Sequence, residues 1–279
     1  MTNMILSAFS DEYATAFEEQ LLGMQRFGIS HIELRHADGK NVSELTEEEG
    51  NKIKEQLARF GIRVSAIGSP LGKIPLDGDM SAHLESAARL FRLANSLDAK
   101  YVRVFSFYPP KGEGDRDRKA ETLKKMEALL SLADKYGVTL CHENEAGIYG
   151  DTPARCRELL THFSGRLRCV FDMGNFVLEG EEPFAAYEAL RDYISYFHIK
   201  DAKKEGAVVP AGLGDARIKD ILEAHRAYTE QDFFVSLEPH LQTFSGLNAL
   251  VGRTFDNPYK YENEAAAFTD AVEKFRRLV

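Results

Sequence analysis

A chain of 279 residues can hold one large domain or two small ones, and 44% hydrophobic against 28% charged residues is the balance of a globular protein with a sizeable core, which excludes global disorder. The formal net charge of −9 works against binding a nucleic-acid backbone, which draws affinity from clustered Lys and Arg. No run approaches the roughly 18 apolar residues of a membrane span, and the start Met1-Thr2-Asn3-Met4 lacks a basic region ahead of an apolar stretch.

Cys141, Cys156 and Cys169 show no CxxC spacing, and two of them lie inside apolar runs, so they read as small buried residues in a reducing compartment, without a disulfide. The expectation is a cytoplasmic protein that engages neither membrane nor nucleic acid.

In chain order, short runs of period-2 or continuous apolar character predict strands near Met4 to Phe9, His31 to Arg35, Arg63 to Ile67, Tyr101 to Phe105, Val138 to Glu143, Leu167 to Asp172, Ile194 to His198 and Phe233 to Glu238. Longer segments of 3.6 periodicity separate them. Met80, Leu84, Ala87, Ala88, Phe91, Ala94 and Leu97 form one apolar stripe, and Leu123, Met126, Leu129, Leu130 and Ala133 form another, which Gly137 is placed to end in a left-handed turn. Thr152-Pro153 reads as an N-cap followed by proline at the first helical position.

Phe27-Gly28-Ile29, Phe60-Gly61-Ile62 and Tyr136-Gly137-Val138 each run a helix end straight into a strand, a connection suited to a parallel neighbour. Repeated βα units with eight strands and no Pro/Ser/Gly-rich linker predict an α/β protein, a single-domain (β/α)8 TIM barrel over residues 1–279. The longest irregular stretches, Pro109 to Asp117 and Gln242 to Glu262, follow strand ends, where barrel enzymes keep substrate loops.

Four consecutive strands end in a residue able to bind a divalent metal: Glu143, Asp172, His198 and Glu238. Three carboxylates and one imidazole at one end of parallel neighbours suit Mn²⁺, Mg²⁺, Co²⁺ or Zn²⁺. Any one of these residues alone is also what a buried strand presents where it meets water, so the weight lies on the joint pattern. Strand alternation puts Cys141, Glu143 and Glu145 on one face with His142 and Asn144 on the other, joins His198 to Lys200, and joins Ser236, Glu238 and His240. Gathered carboxylates repel one another unless a cation sits between them.

Weaker candidates compete. Gly212-Leu213-Gly214-Asp215 follows the seventh strand, where barrels often bind phosphate, but a lone GxG is more often a tight turn. Lys200, Lys203 and Lys204 suit an anionic substrate or a solvated loop. His31, His36, His83, His162 and His225 carry no partner motif and read as surface or packing residues.

The strand ends His142-Glu143-Asn144-Glu145, Phe171-Asp172-Met173-Gly174-Asn175, Phe197-His198-Ile199-Lys200-Asp201 and Ser236-Leu237-Glu238-Pro239-His240 resemble, across almost the whole chain, the sugar phosphate isomerase/epimerase family of xylose isomerase-like TIM barrels. The resemblance implies a metal site of Glu143, Asp172, His198 and Glu238, with Glu143 and Glu238 also exchanging protons with a substrate carbon, as in ketose 3-epimerases. It implies a divalent-metal-dependent sugar isomerase or epimerase working on a small sugar, sugar phosphate or polyol through a metal-stabilised enediolate, with Glu145, Asn175 and Lys200 as substrate contacts and homo-oligomers among its relatives. The alternative is a dehydratase like the inosose dehydratases; a non-catalytic sugar-binding barrel ranks below both, because a pure binder has no use for paired bases.

Two positions depart from the pattern. Ketose 3-epimerases carry a His three residues after the Asp, where this chain has Asn175, and a Glu six residues after the first Glu, where it has Tyr149. Asn175 also replaces one of the additional His ligands of the related AP endonucleases, and with the acidic net charge this speaks against DNA repair.

Overall fold

A computed structural model describes the chain over residues 2–110, 118–241 and 259–279. The eight expected strands are present, with ends within one residue of those read from the sequence: β1 (Met4–Ala8), β2 (His31–Leu34), β3 (Arg63–Ile67), β4 (Tyr101–Val104), β5 (Thr139–Glu143), β6 (Leu167–Asp172), β7 (Ile194–Ile199) and β8 (Phe233–Leu237). All ladders of this eight-stranded sheet are parallel, and the order around it is β1-β8-β7-β6-β5-β4-β3-β2.

Among the described residues no ladder joins β1 to β2, so the barrel is nearly closed. Side chains span that seam. Ser65 Oγ donates to Ile32 O at 3.0 Å, which leaves Ser7 as the donor in its 2.7 Å bond to Ser65.

The α-helices follow the strands in turn, the last of them after β8: α1 (Phe17–Arg26), α2 (Glu47–Phe60), α3 (Met80–Ser96), α4 (Lys119–Tyr136), α5 (Pro153–His162), α6 (Met173–Leu178), α7 (Pro183–Leu190), α8 (Ile218–Tyr228) and α9 (Glu264–Leu278). Their starts follow local chemistry. Thr46 and Glu49 cap α2 reciprocally, and Thr152 caps α5 ahead of Pro153. Gly137 closes α4 at φ 67°, a left-handed turn that an L side chain adopts only with strain.

Two cores result. The larger fills the layer between sheet and helices and takes in the α3 residues Ala87, Leu90, Phe91 and Ala94, while Ala66, Cys141, Val170 and Tyr196, with Tyr101 and Phe234 against them, plug the barrel itself. The three cysteines are buried and unpaired. No described helix is long and apolar enough to cross a membrane. The irregular stretches expected to bear substrate loops fall largely on residues 111–117 and 242–258, outside the described residues.

Candidate active site

Directly above the apolar plug the interior turns ionic. Glu143 ends β5, Asp172 ends β6, His198 lies opposite Asp172 in the β6–β7 ladder, and Glu238 follows β8, its N–H bonded to Ile199 O at 3.2 Å. One ligand atom from each of the four lies within 4.8 Å of all the others. The imidazole marks the centre: His198 Nδ1 is 2.9 Å from Glu143 Oε1, 3.4 Å from Glu238 Oε2 and 4.0 Å from Asp172 Oδ2. All four side chains are buried.

Asp172 is aimed from two sides. It caps α6 by accepting Asn175 N at 2.8 Å on Oδ1, which leaves Oδ2 for the cluster. The Asn144 side chain clasps its backbone, donating to Asp172 O at 2.9 Å and accepting from Asp172 N at 3.0 Å. Alternation along β5 therefore holds: Glu143 and Cys141 face inward, whereas His142 bonds Ser106 Oγ at 3.0 Å.

Lys200 Nζ lies 2.8 Å from Asp172 Oδ2, 3.0 Å from Glu238 Oε2 and 3.2 Å from Asn175 Oδ1, so each of its three N–H bonds has an acceptor inside the site. Gly174 makes room for it, since a Cβ there would stand 2.7 Å from Lys200 Cγ. Asn175 also donates to Asn144 O at 2.9 Å and reaches Glu143 Oε1 at 3.5 Å. Glu145 stands apart from the cluster, paired with Lys73 at 2.7 Å and slightly exposed.

Several members of the site escape a reading of strand ends. Arg103 on β4 touches Glu143 Oε2 at 3.1 Å and Glu238 Oε1 at 3.6 Å. Arg35, just past β2, reaches Glu238 Oε1 at 2.8 Å, Asp11 Oδ2 at 2.9 Å and Glu12 Oε1 at 3.3 Å. Glu33 on β2 bonds the far nitrogen of His198 at 3.0 Å. The signal was present as alternation: Glu33 and Arg35 share a strand face within an apolar run, and Arg103 sits between two valines.

Glu12, Glu238 and His240 make a second cluster with ligand atoms within 4.8 Å, and the Arg35 guanidinium lies against its two carboxylates. His36, expected at the surface or in packing, instead bonds Asp11 Oδ2 through Nδ1 at 3.0 Å.

Gly212-Leu213-Gly214 is occupied from within. The Asp201 carboxylate accepts the N–H groups of Ala202, Gly212, Gly214 and Ala216 at 2.8 to 3.1 Å, so the amides that would cradle a phosphate already hold an anion of the chain itself. Tyr149 packs in the main core and donates its hydroxyl to Glu158.

The ionic layer holds more anions than cations. Burial raises the Asp172 pKa to about 7 with Lys200 opposing, and raises Glu12 to about 8 with Arg35 opposing. Burial would raise Glu143 as well, but His198 and Arg103 overcome it and pull the group to about 2. Burial disfavours the charged imidazole of His198, yet Glu143, Glu33 and Glu238 together hold its pKa well above the ordinary value.

An Nδ1 facing three carboxylate oxygens is repulsive unless a proton or metal cation lies among them, so the donor set of three oxygens and one nitrogen fits a divalent ion. Chemically, such a site presents two buried carboxylates, Glu143 and Glu238, beside a Lewis-acid position.

The family model described as xylose isomerase-like TIM barrel matches residues 24–271. An inosose dehydratase of Lacticaseibacillus casei is 28% identical over 83 residues, 29% of this chain and 28% of that protein, so the matched stretch spans little more than a quarter of the curated relative. The fold superposes on the IOLI protein with a binding zinc atom at a TM-score of 0.76 with 16% identity, covering 99% of this chain and 98% of the other. It superposes on D-psicose 3-epimerase in the presence of D-fructose at 0.74 with 15% identity, covering 98% of each. At such identities these likenesses establish the fold.

Proposed function

Because the chain belongs to the xylose isomerase-like TIM barrel family, we propose that it is a divalent-metal-dependent isomerase or epimerase of a small sugar, sugar phosphate or polyol. The observation that carries this reading is the convergence of Glu143, Asp172, His198 and Glu238 on one point, two of the four being glutamates whose carboxylates can act as bases. A divalent ion held there supplies Lewis acidity toward a carbonyl and the neighbouring hydroxyl of the substrate.

The chain's own groups do the rest. One of Glu143 and Glu238 takes the proton from the carbon beside the carbonyl, and the electron pair of that C–H bond moves into an enediolate. The carboxyl that took the proton can return it, or a water behind the opposite glutamate, acidified by that carboxylate, delivers one from the other face. Return to the neighbouring carbon isomerises the sugar; return to the same carbon from the other side epimerises it. His198 and Arg103 keep Glu143 ionised, Lys200 and the neighbouring imidazoles do the same for Glu238, and Arg103 lies against both carboxylates. Lys200 and Asn175 hold Asp172 in place, and the Lys73–Glu145 pair offers polar groups to substrate hydroxyls.

A dehydratase is the second reading, favoured by the 28% identity to inosose dehydratase. The same proton removal is then followed by departure of a β-hydroxyl as water.

The test is incubation of the metal-loaded protein in deuterated water with ketoses, ketose phosphates and inososes, followed by mass spectrometry. A product of unchanged formula carrying solvent deuterium supports the first reading. A product lighter by one water supports the second, and metal-dependent turnover without deuterium points to hydride shift and overturns both proton-transfer schemes.

A further inference from the structure

Glu33 has no place in the proton transfers above, yet it lies fully buried under the site. The β2–β3 ladder changes register between Ile32 and Glu33, with Ile32 opposite Val64 and Glu33 opposite Ala66. Such an irregularity re-aims the side chain that follows it. Its two oxygens take separate donors from β7: Oε2 is 3.0 Å from His198 Nε2, and Oε1 is 3.0 Å from the Tyr196 hydroxyl. Tyr196 is itself held by stacking on Tyr101, with ring centroids 5.6 Å apart and planes at 25°.

We propose that Glu33 is a positioning residue that fixes the tautomer and ring orientation of His198, so that Nδ1 is the nitrogen offered to a divalent cation; this rests on the metal-dependent reading above. A carboxylate on Nε2 keeps the proton of the neutral imidazole there. The lone pair is then on Nδ1, the atom that faces Glu143, Glu238 and Asp172. A carboxylate behind a ligating imidazole also strengthens the imidazole as a donor, and losing one commonly costs 10- to 100-fold in metal affinity. Phe9 supports the ring edge-on at 5.1 Å and 74°, and the Tyr196 ring does so at 5.6 Å and 65°, while the groups at its two nitrogens supply its polar contacts.

The test compares the wild-type chain with Glu33→Gln, Glu33→Leu and Tyr196→Phe by calorimetric titration with Mn²⁺ and Zn²⁺, together with nitrogen NMR of the histidine rings in zinc-loaded protein. The expected result for Glu33→Gln, which keeps the shape and one acceptor oxygen, is roughly 10- to 100-fold weaker binding. Tyr196→Phe, which disturbs the same buried carboxylate but leaves its charge on Nε2, should stay within about threefold, whereas a merely structural Glu33 would make the two variants alike. In wild-type protein His198 should show a metal-bound Nδ1 and a slowly exchanging Nε2–H, and that proton signal should be lost in Glu33→Leu. If Glu33→Leu does not fold, Glu33→Gln carries the comparison.

Glu33→Gln binding within about threefold of a wild-type protein that does bind the ion, or metal found on Nε2, overturns the proposal alone. Absence of any divalent-ion binding by the wild type overturns the metal-dependent reading and this proposal with it.

Discussion

Replacing Lys200 with Met removes one positive charge from the centre of the ionic layer while keeping most of the side-chain volume. The ammonium is 2.8 Å from Asp172 Oδ2 and 3.0 Å from Glu238 Oε2, both buried, so the variant leaves Asp172 without its nearest cation and takes one of two close cations from Glu238, which keeps Arg35 at 2.8 Å. Breaking a buried pair in this way costs about 3–5 kcal/mol. An unfolding entropy of about 2.1 cal/mol/K per residue over 279 residues gives roughly 0.6 kcal/mol/K, so the melting midpoint of metal-free protein should fall by about 5–9 °C.

The same variant should bind Mn²⁺ or Zn²⁺ at least about tenfold more tightly, because a like charge has been taken away from two of the ligand oxygens. An ion at 100 times its dissociation constant then restores about 2.7 kcal/mol, between about half and nine-tenths of the loss. Thermal melts with and without metal, beside a titration, measure both quantities. A midpoint within about 2 °C of wild type, or weaker metal binding by the variant, would refute the view of Lys200 as a counter-charge.

Two other outcomes follow from the geometry. Glu12 is raised from 4.5 to about 8 and Asp172 from 3.8 to about 7, both chiefly by burial, so the folded protein holds protons that the unfolded chain has released. The stability these groups contribute is full below about pH 4 and is lost as the pH rises through about 7–8, so metal-free protein should melt lower at about pH 9 than at about pH 5, and added divalent ion should flatten the decline; a midpoint that climbs over this window contradicts the reasoning. Asp201→Asn removes a carboxylate that accepts four backbone N–H groups and puts an amide donor against them, so hydrogen exchange at Gly212, Gly214 and Ala216 should accelerate about tenfold or more while the barrel strands keep their protection.

The strands were legible because burial imposes a pattern: period 2 or continuous apolarity over four to six residues, with Gly28, Gly61 and Gly137 marking where helices hand over to strands. The four strand-end ligands were legible for the same reason, since a polar residue closing an apolar run stands out. Arg35, Arg103 and Glu33 did not, although each breaks an apolar run, because a charge inside a strand has meaning only once the barrel supplies its partner from a strand distant in sequence. Arg35 and Glu238 are 203 residues apart in the chain and 2.8 Å apart in the fold. Gly212-Leu213-Gly214 was ambiguous in a different way. A loop of amides looks the same whether its anion is a ligand or the chain's own Asp201, and only the folded register shows which.

The charge inventory of the barrel mouth links these particulars. Asp11, Glu12, Glu33, Glu143, Asp172 and Glu238 are six buried carboxylates, and Arg35, Arg103 and Lys200 are the three permanent cations among them. Three negative charges are left, and besides those cations Glu12, Asp172 and His198 have pKa values raised above their ordinary ones. The burial of these carboxylates favours proton uptake, and two of the groups so raised, Asp172 and His198, belong to the four-residue cluster. A divalent ion at that cluster would deliver the same positive charge without that uptake, so its binding must release protons near neutral pH, and metal affinity and proton affinity become two readings of one buried excess of carboxylate.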